Sequence, residues 1–139
     1  MEIQKPTSVV TVFLTRGSEV LLLKRSATVG TYQGLWAGVS GYLEADDPVE
    51  QAWIELEEEM GLRSADTQLS VRGLPIDIAD RRSQRSWRVY PFRFALLLAK
   101  EPRLNWENTE MRWVLPNEIK ELPTVPGLFD AWLQVADGF

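Results

Sequence analysis

The chain has 139 residues, of which 45% are hydrophobic and 25% are charged, and its formal net charge is −5. This length and composition predict a single globular domain over residues 1–139 and exclude a disordered chain. The acidic balance argues against a general attraction to nucleic acid or to an anionic membrane surface. Cys and His are both absent, which excludes disulfides, thiolate catalysis and imidazole metal ligands. Any metal site must therefore use oxygen ligands.

The first forty residues predict a hairpin, a loop and a short strand. Two β-rich runs flank a turn-like triplet at 16–18 in SVVTVFLTRGSEVLLLKRS. The glycines of ATVGTYQGLWAG predict a loop, and VSGYLE predicts a short strand or turn.

The same region bears on location. The N-terminus lacks the basic start and the small-residue cleavage site of a secretory signal, and no apolar run approaches the ~20 residues needed to span a bilayer. We expect a cytoplasmic protein that does not enter the membrane.

The strongest helix signal covers residues 48–60. Asp46 or Asp47 can cap this helix, Pro48 suits its first turn, and Gly61 suits its C-terminal end. Its apolar side chains share one face, which we expect to pack on a sheet: Val49, Ala52, Trp53, Leu56 and Met60.

Downstream of this helix the sequence predicts further strands and then helices. TQLSVRGLPIDIA is a weaker strand region, and SWRVYPFRFALLLAK is a long β-rich run in which Pro91 predicts an edge or a bulge. MRWVLPNEI predicts a strand that leads into a short helix at Pro116, and residues 125–137 have helical spacing. The order of elements predicts an α/β sandwich with a mixed sheet.

The helix carries four acids within five positions, Glu55, Glu57, Glu58 and Glu59, although like charges at helical spacing repel each other. Glu55 and Glu59 lie one turn apart beside the apolar face, where Glu58 can converge with them. One interpretation is a solvated helix surface, since Glu is a good helix former.

The other interpretation is a divalent-cation site. The preceding SGYLEADD can bring further carboxylates and backbone carbonyls to the same flank. Mg²⁺ prefers oxygen ligands and commonly binds substrate phosphates as well. An all-carboxylate site of this kind therefore favours phosphate chemistry.

The segment from Gly41 to Leu62, GYLEADDPVEQAWIELEEEMGL, resembles the Nudix hydrolase signature G-x5-E-x7-R-E-U-x-E-E-x-G-U, in which U is aliphatic. The helix acids and the final glycine stand at the family spacing. The hairpin, GLWAG and RWVLPNEI are also similar to the family arrangement, so the resemblance covers most of the chain.

Two positions depart from the signature. Ile54 occupies the Arg position and cannot pair with Glu58, which lies one turn further along the helix. The upstream loop is one residue shorter than usual, so Asp46 falls at the first Glu position, Ser40 at the glycine position, and Gly41 one residue late.

The resemblance implies a Nudix-type α/β/α sandwich and Mg²⁺-dependent hydrolysis of the diphosphate linkage in a nucleoside diphosphate linked to another moiety, with Mn²⁺ as an alternative metal. Glu55 and Glu59 are the implied metal ligands, Glu58 is a ligand or a proton acceptor, and the backbone at Gly41 completes the site. We expect Glu59 to lie at a surface position.

Since His is absent, a carboxylate must act as the general base. Family members often take the base from the box helix, where Glu55 and Glu58 are candidates, or from a later loop. Here NWENTEMRW offers Glu107 and Glu110, and we select Glu110 as the loop candidate. The alternative for both is an ordinary solvated acid.

Three residues are candidates for binding a nucleotide-type small-molecule substrate. Arg25, at the end of the second strand, can form a bidentate pair with a phosphate, although it also suits a surface charge. Trp36, like Trp106, falls in a predicted loop where a base could stack. Arg88 is the third candidate.

Arg88 belongs to the run DRRSQRSWRVYPFRF, in which arginines alternate with aromatic residues. Such a run fits a phosphorylated, base-containing ligand or a nucleic-acid end. A hairpin with solvated arginines is the alternative.

A second function also fits the sequence. Ile54 and the short loop are compatible with a catalytically weak or inactive Nudix-fold module that binds a nucleotide or a partner. The resemblance makes a homodimer plausible, and the sequence does not select among diphosphate substrates.

Overall fold

The computed structural model describes residues 5–97 and 100–139 and shows a mixed sheet with helices on both faces. The strands are β1 Thr7–Arg16, β2 Glu19–Arg25, β3 Trp36–Ala37, β4 Val39–Tyr42, β5 Thr67–Arg72, β6 Ile76–Asp80, β7 Arg85–Leu96 and β8 Asn108–Val114. The helices are α1 Pro48–Met60 and α2 Leu128–Leu133, and a 3₁₀ helix covers Pro116–Glu121. The predicted single domain also includes residues 1–4, which lie outside the described residues.

The sheet is organised around β1. One edge of β1 pairs in parallel with β7, from Thr7 opposite Trp87 to Thr15 opposite Ala95. The other edge pairs antiparallel first with β4 and then with β2, so the predicted hairpin at 16–18 is present. β2 also pairs with β3 and β8, and β7 pairs with β5 and β6. The predicted mixed sheet is confirmed.

Successive side chains of a strand point to opposite faces of the sheet. The side chains of the central strand β1 are buried on both faces because a helix covers each face. In β1, Val10, Val12 and Leu14 pack with the apolar face of α1, whereas Phe13 packs with α2 on the other side. The strand therefore reads as a continuous apolar run. Helix, sheet and helix form the three layers predicted from the sequence.

Helix α1 begins and ends where its capping residues predict. The Asp47 side chain accepts a hydrogen bond of 2.9 Å from the Val49 main-chain nitrogen, and Pro48 occupies the first turn. Gly61 ends the helix in the left-handed conformation, with φ of 68°. These local signals set the two ends of the helix, and the packing of its apolar face stabilises it.

Two predictions about the C-terminal half need correction. Pro91 does not mark an edge strand, because β7 pairs with β1 on one side and with β5 and β6 on the other. Proline has no N–H to donate, and Pro91 lies at the gap between the part of β7 that pairs with β5 and the part that pairs with β6. The helical segment predicted over 125–137 is a helix only over Leu128–Leu133, since Gly127 precedes it with φ of 73° and a turn follows.

The predicted run to Lys100 includes residues 98 and 99, which lie outside the described residues. Within the described ranges, no helix has the length and apolar character required to cross a membrane.

We predict that Leu56→Ala lowers the free energy of unfolding by about 2–5 kcal/mol, because Leu56 is fully buried between α1 and the sheet. Urea denaturation measures this loss. Ile54→Ala is the matched control two residues away, since Ile54 is 41% exposed, and it should change the same quantity by about 0.5 kcal/mol. Equal losses in the two variants would contradict the packing of α1.

Candidate active site

Two carboxylates of α1 are buried against β4. Glu55 is 7% exposed and Glu59 is 3% exposed, so the expectation that Glu59 lies at a surface position is wrong. Gly41 makes room for this pair, because a Cβ atom at position 41 would overlap the Glu55 carboxylate. The sequence thus places a glycine where the helix acid meets the strand.

Hydrogen bonds hold both carboxylates in place. Glu59 accepts bonds from the Ser40 main-chain nitrogen at 3.1 Å and from Asn108 Nδ2 at 3.2 Å. Glu55 accepts a bond of 3.0 Å from Gln51 Nε2. The side-chain oxygen Oε1 of Gln51 in turn accepts from the main-chain nitrogens of residues 44 and 45, which ties the loop before α1 to the site.

Burial raises the pKa of both acids. Desolvation is the largest cause for each, and the pKa of Glu59 lies well above its usual value. The charge of Glu107 raises both pKa values further, and that of Glu58 also raises the pKa of Glu55. Hydrogen bonds from Gln51 and Asn108 oppose the shifts only in part. The pair therefore binds protons readily when no cation is present.

A cavity of about 370 Å³ opens beside this pair. One end is acidic and is lined by Glu44, Glu55, Glu58 and Glu107. The other end, which we call the chamber, is apolar and aromatic and is lined by Val9, Tyr32, Trp87, Val89, Leu128 and Ala131. A ligand that fills the cavity must therefore combine a part suited to acids or their cations with an apolar or aromatic part.

Besides Trp106, which is 67% exposed, the structure brings the predicted substrate-binding residue Arg25 to this cavity. Its Nε donates to the Thr31 carbonyl at 2.9 Å, and its Nη2 donates to the Thr31 hydroxyl at 3.3 Å. These bonds hold the guanidinium in the cavity wall. Glu58 also lines the cavity, with an exposed side chain, whereas Ile54 is exposed beside it and offers no charge.

Three predicted site residues lie elsewhere. Trp36 is not in a loop but in β3, where it is 7% exposed and packs in the core beneath α2. Arg88 faces away from the chamber, because Trp87 and Val89 line it and alternate residues of a strand point to opposite faces; Arg88 pairs instead with Asp77 at 2.8 Å. Glu110 pairs with Lys24 at 3.5 Å, outside the residues that line the cavity.

Three other residues lie at the site, although none of them is among the site residues selected from the sequence. Glu107, the alternative loop acid, lines the cavity and acts electrostatically on both buried carboxylates. Gln51 was detectable, since it precedes Glu55 by one helical turn. Asn108 carries no sequence signal, because only the pairing of β8 with β2 brings it to Glu59.

The donor set suits a hard divalent cation. Carboxylates crowded enough to have raised pKa values gain from a positive charge between them, and the Glu55 carboxylate lies directly against Gly41, which also lines the cavity. In the described ranges, no three acidic side chains already surround a single point. Glu55 and Glu59 therefore hold fixed positions, whereas the Glu58 side chain is exposed.

The family model of the NUDIX domain matches residues 5–133. The chain belongs to the Nudix family. Family membership confirms the predicted fold and the predicted enzyme class, a Nudix-type pyrophosphohydrolase, while the metal and the substrate stay predictions.

Solved structures share the Nudix fold. A C. elegans Ap4A hydrolase binary complex matches with a TM-score of 0.76 and 13% identity over 92% of this chain and 93% of that one. A MutT NUDIX hydrolase from Burkholderia pseudomallei matches with a TM-score of 0.71 and 23% identity over 95% and 99%. A NUDIX hydrolase from Nitrosomonas europaea matches with a TM-score of 0.72 and 17% identity over 94% and 88%. No curated protein matches the sequence significantly.

We predict that the metal-free protein loses stability as pH rises above about 4.5, the usual value for Glu. A carboxyl whose pKa is raised in the folded state stabilises the fold below its unfolded pKa, and this contribution disappears as pH passes the folded pKa. Urea denaturation at a series of pH values with chelator measures this slope.

Glu59→Gln should flatten the slope, whereas Glu57→Gln, at an exposed position of the same helix, should keep it. A slope that is identical in both variants would contradict the buried pair as its source.

Proposed function

We propose that this Nudix protein hydrolyses the diphosphate linkage of a nucleoside diphosphate linked to another moiety, with Mg²⁺ as its cofactor and Mn²⁺ as an alternative. One observation carries the proposal: a single cavity joins the acidic end at Glu55, Glu58 and Glu107 to an aromatic chamber at Trp87. The two ends suit the two chemically different parts of a nucleotide.

The acidic end is the proposed metal site. Glu55 and Glu59 would hold the metal together with Glu58 and the main chain at Gly41. When bound, Mg²⁺ supplies charge neutralisation at the phosphates and acidifies water. The protein contributes the fixed positions of two ligands, because Gln51 and Asn108 bond to their carboxylates.

Glu107 is the proposed general base, in place of Glu110. It lies close enough to the buried pair to raise both of their pKa values, and its own backbone is fixed. Its main-chain nitrogen donates to Asn105 Oδ1 at 3.0 Å, and its carbonyl accepts from the Ser26 nitrogen at 2.8 Å. A carboxylate held at the acidic end can accept a proton from the attacking water.

Arg25 and the chamber are proposed to hold the substrate. The guanidinium of Arg25 keeps N–H groups beyond those bonded to Thr31 and can bind a phosphate. Trp87 and Tyr32 present aromatic rings with centroids 6.1 Å apart on the chamber wall. Their rings suit stacking with a base, which would exclude water from the chamber.

The first test is the release of nucleoside monophosphate, the product expected from cleavage of the diphosphate linkage, from a panel of nucleoside diphosphate derivatives with Mg²⁺, with Mn²⁺ and with chelator. We expect metal-dependent release, and Glu59→Gln should abolish it because it removes a charged ligand from the fixed pair. Glu57→Gln is the control and should keep activity. No release from any compound, with a correctly folded protein, would refute hydrolysis.

That refutation would favour the second candidate, a Nudix-fold binding module with little catalysis. The observation that supports this candidate is Ile54, which is 41% exposed beside Glu58 and cannot orient its carboxylate.

The two loop acids can be separated by mutation. We predict that Glu107→Gln lowers kcat by about 10²–10⁴, as expected on removing a general base. Glu110→Gln should leave kcat within about twofold, because Glu110 forms only an exposed ion pair with Lys24. Steady-state kinetics with the best substrate of the panel measures kcat for both variants. A larger loss of kcat in Glu110→Gln than in Glu107→Gln would favour Glu110 as the general base.

A further inference from the structure

A second, basic cleft lies next to the chamber. It is lined by Lys5, Thr7, Ser83, Gln84, Arg85, Ser86 and Trp87. Trp87 is shared, since it also lines the chamber. Apart from Trp87 every lining residue is polar or cationic, in a chain whose net charge is −5.

The cleft and the chamber lie along one face of the sheet. Arg85, Trp87 and Val89 alternate along β7, so their side chains share a face. On β1, Thr7 lies opposite Trp87 and Val9 lies opposite Val89, and the same alternation applies. Arg85 therefore lies about 7 Å beyond Trp87 along the sheet, a distance that one sugar ring can span.

Two cations, Lys5 and Arg85, line the cleft, and the negative charge of Asp80 beside it offsets part of theirs. In the described part of the chain, neither Lys5 nor Arg85 forms an ion pair. Asp80 lies opposite Arg85 on β6. Its carboxylate is already bonded to the Tyr32 hydroxyl at 2.8 Å and to the Ser83 hydroxyl at 2.6 Å.

These same bonds fix the cleft relative to the chamber. The Tyr32 hydroxyl also accepts a bond of 2.9 Å from Trp87 Nε1, so the chamber wall and the turn after β6 are linked through Asp80. That turn contributes Ser83 and Gln84 to the cleft and also carries Arg81 and Arg82. The turn that carries these arginines is therefore anchored to the chamber wall at Tyr32.

We propose that this cleft binds a second phosphate of the substrate, one attached to the ribose of the nucleotide whose base occupies the chamber. The proposal rests on the proposed function for the position of the base. It adds a substrate class: nucleotides that carry a phosphate on the ribose as well as the 5′ diphosphate. Arg85 is the principal specificity residue and Lys5 supports it.

The test uses nucleotides that lack a diphosphate, so its result does not depend on turnover. Titration calorimetry with Mg²⁺ at low salt compares nucleoside 5′-monophosphates with the corresponding 2′,5′- and 3′,5′-bisphosphates. Adenosine, guanosine and uridine are each measured, so that the choice of base does not decide the result. We expect at least one bisphosphate to bind about tenfold more tightly than its monophosphate.

Arg85→Gln should reduce this preference to about twofold or less, and high salt should weaken it, because the cleft is exposed. Arg88→Gln is the matched control: it removes the same charge from the same strand on the opposite face, and the preference should remain. Thermal unfolding verifies that both variants are folded.

Equal binding of every monophosphate and its bisphosphate by the unchanged protein, or no binding of either, overturns the proposal. A preference that survives in the Lys5→Gln, Arg85→Gln double variant overturns it as well. A preference for the bisphosphate without metal-dependent hydrolysis of the diphosphate panel supports the cleft and refutes only the proposed chemistry.

Discussion

The burial of two like-charged side chains, Glu55 and Glu59, is the constraint on which the rest of the site depends. Each loses its hydration between α1 and β4, and each lies within reach of the other's charge. Such an arrangement persists only when hydrogen-bond donors and a well-fixed helix hold it. The cap of α1 at Asp47, the side-chain amide of Gln51 and the main-chain nitrogen of Ser40 supply that support.

The register of β4 on β1 determines whether this burial is possible. Val10, which packs with α1, lies opposite Gly41, so the position that faces the helix acids is the one without a side chain. A slip of one residue would turn Ser40 toward Glu55 and Gly41 toward the other face. The glycine that stands one residue late in the sequence signature is thus correctly placed in the fold, and the shorter loop before α1 is compatible with the site.

The sequence was sufficient wherever the signals are local. The bounds of α1 follow from Asp47, Pro48 and Gly61, and its acids keep fixed offsets along one helix. It was insufficient wherever a side chain's surroundings depend on pairing between distant strands. Trp36 was assigned to a loop because glycines surround it, but β3 pairs with β2 and buries the indole.

Glu110 and Arg88 show the same limitation, because the chemistry of a residue does not reveal its face. Both are charged residues on strands, and each lies close in sequence to a residue that does line the cavity, Glu107 and Trp87 respectively. Trp87 and Arg88 point to opposite faces of β7, whereas Glu110 lies within β8 opposite Lys24 and Glu107 lies in the loop before that strand. For a site built from several strands, this choice of face is the information that a single sequence lacks.

Charge is unevenly distributed along the cavity and the adjoining basic cleft. Acids cluster at the end near α1, and Arg25 lies in the wall of the same cavity. Lys5 and Arg85 lie beyond Trp87 in the cleft, and the apolar chamber between contains Val9 and Val89. An anionic ligand meets repulsion from the acidic end until a cation binds there, but it meets no such barrier at the basic cleft. This distribution of charge therefore favours one orientation of an anionic ligand, and a cation at the acidic end would lower the repulsion that the ligand meets there.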